Sequence, residues 1–298
     1  MSPAARKAAG AVAAATGKAF TPVHVDGVSG GCIHTALALT GRTPVGEVRY
    51  FVKVNEAGRA PMFEAEADGL AALREAGVLR VPATIAQGHD AEHAWLVLEW
   101  LELGALAPLS AAALGTALAT QHRAVRGRFG WRRDNFIGAT PQENSECDDW
   151  SAFWRDRRLA PQLRLAAGNR LPSAMIDRGE RLATDCEAFF RGLAVKPSLL
   201  HGDLWTGNAA ASGGSFVVFD PAVYAGHREA DIAMTELFGG FPRDLLAAYF
   251  TDWPVEAGYT VRRDLYNLYH VLNHANLFAG GYVHQAAESI RKLLAEIA

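Results

Sequence analysis

Residues 199–208 read LLHGDLWTGN, and after Gly213-Gly214 comes SFVVFDPA at 215–222. The types and spacing point to phosphoryl transfer. Asp203 and Asn208 stand five residues apart, the spacing of catalytic loops that do this chemistry, and an apolar strand ending in Asp220 follows. A carboxylate at Asp203 can accept a hydroxyl proton and aim that oxygen at a phosphate, the one act of base chemistry this reaction asks of a protein. If 208–211 and 215–220 are strands, the glycine pair turns a hairpin that brings Asn208 back beside Asp220. An amide and a carboxylate oxygen at adjacent strand ends suit Mg²⁺, which fills its remaining positions with water and phosphate. The plainer alternative, a polar turn capping a helix, accounts for an isolated His-Gly-Asp but not for all three residues in order.

A phosphate also needs a cation and a covering turn. Lys53 interrupts the apolar run YFVKVN, and its partner is expected on the following segment, FEAEADGLAAL. Glu66 precedes Leu70 by four residues and Leu73 by seven, so it shares the buried stripe of a helix. Glu64 points roughly 200° away from it and stays open as the second candidate. Gly30 and Gly31, in DGVSGGCIH, allow backbone N–H groups close to an anion, although the pattern is not G-x-G-x-x-G. Cys32 beside them either has its thiol activated by those N–H groups and by Lys53 or packs as an inert small residue under the turn. The GKA at 17–19 lacks the Ser or Thr and the upstream Gly of a Walker A loop. The backbone of Glu99, Trp100 and Leu101 is placed to bind an adenine edge. Asp231 reads as a structural acceptor of backbone N–H bonds from the catalytic loop, and His227 and Arg228 as either ion-pair partners or catalytic groups.

These residues must be held by two kinds of structure. From about 20 to 54 short apolar segments alternate with Gly-rich turns, which predicts three strands; a helix over 61–77 and strands around 81–88 and 94–100 follow. Beyond the linker at 99–104 the pattern is mostly helical, around 110–124, 149–168, 173–192, 243–250 and 258–296, with residues after Asp220 running on into a helix. The predicted fold class is α+β: a β-rich lobe with one helix over residues 1–100 and a larger, mainly helical lobe over 101–298. The Ala-rich N-terminus is expected to be a surface helix capped by Ser2 with Pro3 in its first turn, not a signal peptide.

Bulk properties exclude other classes. A net charge of −3 with no basic run speaks against a nucleic-acid footprint, and no apolar stretch approaches the roughly 20 residues of a membrane span. Three scattered cysteines suggest neither a disulfide framework nor a zinc site, so a reducing cytoplasm fits best.

Taken together, HGDLWTGN, FDPAVYAGHREADIAMTELFGGFP, SGGCIH, FVKVN, MFEAEADGLAAL, DNFIGATPQ with WRDRRLAPQL, and LYHVLNHANLFAGGY resemble the fructosamine-3-kinase (ketosamine-3-kinase) family over nearly the whole chain. The HGDL and FD elements alone would indicate only the wider group of aminoglycoside phosphotransferases and choline kinases. The resemblance implies a bilobal protein-kinase-like fold and ATP-dependent phosphorylation of the 3-hydroxyl of a ribulosamine or fructosamine, free or on a glycated protein, leading to release of the amine. It implies Asp203 as base, Asn208 and Asp220 as Mg²⁺ ligands and Lys53 with Glu66 as the phosphate-positioning pair. Trp205 would border the sugar, and Asn135 and His274, the latter with Asn273, are candidate substrate-side groups. The chain is expected to act as a monomer or homodimer. The alternative is a kinase of the same fold acting on an aminoglycoside or choline-like acceptor. One departure from the family pattern, Glu146 to Asp148, carries no assigned role.

Overall fold

The first helix begins where a serine can cap it. The computed structural model describes residues 1–29 and 33–297. Helix α1 (Pro3–Thr16) has Ser2 as its N-cap, the hydroxyl accepting the Ala5 N–H at 3.3 Å, and stops at Gly17 in the left-handed region. Strands β1 (Thr21–Gly27), β2 (Thr35–Thr43) and β3 (Gly46–Glu56), helix α2 (Ala60–Glu75), and strands β4 (Thr84–His89) and β5 (His93–Glu99) follow. The five strands make one antiparallel sheet in the order β1-β2-β3-β5-β4. Strand alternation sorts its two faces. Val52, Val54, Trp95 and Val97 pack against Ala4, Ala8 and Val12 of α1, so Lys53, between the two valines, points to the opposite face.

The second stretch is built from α3 (Pro108–His122), the short strands β6 (Asn135–Ile137) and β7 (Thr140–Gln142), α4 (Trp150–Trp154), α5 (Ala160–Gly168), α6 (Ser173–Asp185) and β8 (Ser198–Leu200). The hairpin β9 (Ala209–Ser212) and β10 (Ser215–Val218) comes next, then β11 (Tyr224–Gly226), α7 (Glu229–Leu237), α8 (Arg243–Asp252), α9 (Tyr259–Phe278) and α10 (Gly281–Ala295). Among the described residues no helix is long and apolar enough to cross a membrane.

Three places differ from the periodicity reading. The helical stretch from residue 150 contains a π-helical turn, Arg155–Leu159. There Pro161 has no N–H to give to the Arg157 carbonyl, which instead accepts from the Arg158 guanidinium at 2.8 Å. The span 258–296 is two helices, because Ala279 and Gly280 take φ values of 54° and 60°. Residues after Asp220 pair first as β11 with β8, and the helix starts only at Glu229.

The chain divides into two compact units. One comprises Met1–Ala105 together with Ala209–Pro221; the other comprises Leu106–Asn208 and Ala222–Ala298. The division is therefore not a single cut near residue 100. Gly104 and Ala211 exchange both backbone hydrogen bonds, and the Val218 N–H donates to the Arg80 carbonyl, which ties the hairpin to the first unit. The second unit has its own core, where Trp150, Phe153, Trp154, Phe190, Tyr266 and Tyr269 pack as buried rings.

Helices α3 and α8 touch backbone to backbone at Gly115, where an added Cβ would lie 2.1 Å from the Leu245 carbonyl oxygen. Gly10 in α1 has no such neighbour within 4 Å. Gly115→Ala should destabilise by about 1–3 kcal/mol through overpacking, whereas Gly10→Ala should stabilise by about 0.4–1 kcal/mol. Opposite shifts of Tm in the two variants check the packing.

Candidate active site

The loop carrying Asp203 is shaped by a glycine and a buried carboxylate. Gly202 has φ 84°, and a Cβ on it would stand 2.0 Å from the Ala222 carbonyl oxygen, so no other residue fits between His201 and Asp203. The buried Asp231, on α7, accepts the His201 N–H at 2.7 Å and the Gly202 N–H at 2.8 Å on its two oxygens. This is the structural role read from the sequence. His122, at the end of α3 and missed in the sequence, adds a third partner: its Nε2 lies 3.1 Å from Asp231, and its Nδ1 lies 2.8 Å from the Tyr249 hydroxyl. Burial pushes the Asp231 carboxyl up, but the hydrogen bond and charge of His122, the charge of His201 and the Gly202 amide together hold it below the usual carboxylate range.

After Asp203 the chain closes into a 3₁₀ turn, Thr206–Asn208. The Asn208 side chain donates through Nδ2 to the Asp203 carbonyl at 2.9 Å and to Asp203 Oδ2 at 3.0 Å. Among the described residues Asn208 Oδ1 accepts no hydrogen bond, which leaves a hard amide oxygen for a cation. Trp205 is 37% exposed, its indole lying where a Gly207 Cβ would otherwise be. Its ring meets Phe238, 40% exposed, at 5.8 Å, and Phe238 meets His274 at 5.1 Å. Phe238 was not picked out in the sequence, since nothing in its spacing separates it from a core aromatic.

In the first unit Lys53, buried at 6% exposure, sits between two carboxylates. Its Nζ donates to Glu66 at 2.7 and 2.8 Å and to Asp220 Oδ1 at 2.6 Å. Of the two glutamates left open, it is Glu66 that reaches Lys53. Burial works against the ammonium, but Asp220 and Glu66 outweigh it and raise the Lys53 pKa, so it stays charged. Burial, helped by the Asp220 charge, pushes Glu66 up to about 7 despite Lys53, because one cation is shared by two anions. Asp220 follows the hairpin, in which Ala209 pairs with Val218 and the Gly213-Gly214 turn has φ values of 58° and 82°. Asp220 itself has φ 56°, a left-handed conformation uncommon outside glycine. Its side chain is 45% exposed, and only Oδ1 meets Lys53. An amide oxygen at Asn208 and a carboxylate oxygen at Asp220 are each donors of the kind Mg²⁺ takes.

Other expected site residues fare differently. Asn135 lies in the interior: it is 4% exposed, donates to the Val223 carbonyl at 2.8 Å, and accepts from Gln142 at 2.7 Å and Asn144 at 2.8 Å. Its amide is used up bracing the segment against which Gly202 packs. Asn273 is likewise buried between Ile137 and Gln162. Glu99 offers no amide to an adenine, because its N–H donates to the Ala83 carbonyl at 2.8 Å while its carboxylate takes the Ala83 N–H and Arg80. The Glu99 carbonyl and the backbone of Trp100 and Leu101 remain as the candidates there; the Trp100 ring carries Arg49 at 3.8 Å and donates to Glu102. His227 is buried on the Tyr266 hydroxyl, and Arg228 stacks on Trp253 and donates to Tyr249 and to carbonyls, so both brace the core. Gly30, Gly31 and Cys32 lie outside the described residues.

Because the folded Asp231 carboxyl titrates below its unfolded value of about 3.8, its contribution to stability is complete above about pH 4 and is lost as pH falls through the lower folded value. Asp231→Asn should remove that part of the acid slope. Asp231→Ala should cost roughly 1–3 kcal/mol for each orphaned amide. Urea midpoints between pH 2 and 7 test both.

A ketoamine kinase-type protein of Synechocystis sp. is 45% identical over 285 residues, covering 94% of this chain and 93% of its own. The protein-ribulosamine 3-kinase of Arabidopsis thaliana is 40% identical over 270 residues, covering 89% and 81%. The crystal structure of a fructosamine-3-kinase-type protein from Haemophilus somnus 129PT superposes with a TM-score of 0.88 at 28% identity, over 96% of both chains. An aminoglycoside phosphotransferase and a choline kinase, 12% and 14% identical with TM-scores of 0.60 and 0.61, share the protein-kinase-like fold alone. With the fructosamine kinase family matching residues 4–296, the chain belongs to that family.

Proposed function

We propose that this protein is an ATP-dependent kinase that phosphorylates the 3-hydroxyl of ketosamines, the ribulosamine and fructosamine adducts of amines. The observation that carries the reading is the Asp203 loop: a carboxylate on a backbone pinned by Asp231, with Asn208 fixed against it. It sits in a chain that shares its family with ketoamine and ribulosamine kinases.

In this reading Asp203 accepts the proton of the acceptor hydroxyl as the oxygen attacks the terminal phosphorus of ATP and the bond to the bridging oxygen breaks to release ADP. Lys53, held charged by Glu66 and Asp220, binds the phosphates. Asn208 and Asp220 would hold Mg²⁺, which when bound would neutralise charge on the transferred group. Trp205 borders the sugar, with its indole face on the apolar C–H side of the ring. Phe238 and His274 extend that wall toward the amine, and a half-exposed aromatic row suits an amine carried by a small molecule or by a glycated protein surface.

The product chemistry supplies the purpose. Loss of a C1 proton converts the adduct to a C1=C2 enaminol, and the C3–O bond then breaks to expel inorganic phosphate. Water hydrolyses the resulting unsaturated imine, which frees the amine and leaves a 3-deoxy dicarbonyl sugar. Phosphorylation at O3 therefore undoes glycation.

Asp203→Asn should lower kcat by about 10²–10⁴-fold with ATP affinity nearly unchanged; near-normal turnover would refute the base assignment. Asp220→Ala should weaken nucleotide binding at millimolar Mg²⁺ and leave the metal-free affinity little altered, as titrations with and without the cation will read. Phosphorus NMR on fructosamine or ribulosamine substrates should show a secondary sugar phosphate that decays as free amine appears. A stable primary phosphate, or transfer only to aminoglycosides or choline, would overturn the ketosamine reading.

A further inference from the structure

A polar group within reach of the Lys53 and Asp220 charges that has no role so far is His34, just before β2. Asn55 follows Lys53 by two residues on β3 and shares its face of the sheet. The Asn55 amide orientation is fixed by its own neighbours: Oδ1 accepts the Glu56 N–H at 2.8 Å, while Nδ2 donates to the Ile33 carbonyl at 3.0 Å. The same Nδ2 lies 2.8 Å from His34 Nδ1. An amide nitrogen has no lone pair to offer, so His34 Nδ1 is the acceptor and the ring proton sits on Nε2. The ring also rests on Phe63 at 4.7 Å, one turn before Glu66 on α2. The imidazole is therefore clamped by the neighbours of both members of the Lys53–Glu66 pair. Among the described residues Nε2 has no hydrogen-bond partner.

We infer that His34 is a phosphate-binding residue, presenting a neutral Nε2–H to the nucleotide beside Lys53. The inference rests on the proposed use of ATP. Lys53 shares its single charge with two carboxylates, so a triphosphate arriving there needs further donors. A preoriented N–H supplies one without adding a cation beside the ammonium. Burial, and then the Lys53 charge, lower the His34 pKa to about 4, with Arg59 acting in the same sense and Asp220 opposing, so the ring is neutral at pH 7. The fixed tautomer makes it a donor without a proton having to be taken up.

The test compares ATP with adenosine, which lacks the phosphates, by calorimetric titration. His34→Leu keeps an apolar body on Phe63 and removes the donor; it should weaken ATP by about 10- to 100-fold, the range for a hydrogen bond to a charged group, and change adenosine less than about twofold. His34→Gln places an amide N–H near the position of Nε2 and should recover most of the loss. Equal weakening of ATP and adenosine in His34→Leu, or no weakening of either, overturns the inference. A His34→Gln variant as weak as His34→Leu overturns the donor role. Wild-type protein that fails to bind ATP would instead refute the reading on which the inference rests, and the inference with it.

Discussion

Everything on the Asp203 loop hangs from one buried carboxylate. Two consecutive amides, those of His201 and Gly202, cannot both point inward in a regular strand, and leaving them unpaired in the interior would cost more than the loop could recover. Asp231 takes both, one on each oxygen. It can do so because His122 supplies a third donor and the Tyr249 hydroxyl holds His122 in turn. The Tyr249 hydroxyl also accepts from Arg228, so the ring that backs Asp231 is itself held from behind. The polar chain runs from guanidinium to phenol to imidazole to carboxylate, and what it fixes in the end is the position of Asp203.

The Lys53 cluster works on the opposite principle. Here the charges do not balance: one ammonium faces two carboxylates, and burial discourages Glu66 from ionising. The cluster is held together by a frustrated charge, which a divalent cation and a phosphate would relieve together. The left-handed backbone of Asp220 is a second sign that local comfort has been given up for placement.

Much of this was legible in the residues. Asp203, Asn208, Asp220 and Lys53 announce themselves because their polarity breaks an apolar strand or their spacing suits a known reaction, and Glu66 follows from helical phase. Asp231 could be assigned a structural task because a lone acid in an apolar helix must find donors. Asn135 could not be placed from the sequence because a polar residue inside a short apolar segment looks the same whether it faces a ligand or the interior, and its partners Gln142, Asn144 and Val223 put it in the interior. His122 and His34 were passed over for a related reason: a histidine gains its meaning from the groups on its two nitrogens, and those come from residues distant in sequence. The break at Ala279 escaped because neighbouring side chains kept a helical phase on both sides of it.

The hairpin at 209–221 belongs with the first unit although about a hundred residues of the second come before it. During synthesis the β-sheet and α2 therefore emerge with Lys53 facing Glu66 alone, and the unit stays unfinished until Asp220 has left the ribosome. By then most of the second unit up to Asn208 is already outside. Completion of one unit thus requires the chain to leave the other and return, so no length of N-terminal fragment short of about residue 221 can contain the whole lysine cluster.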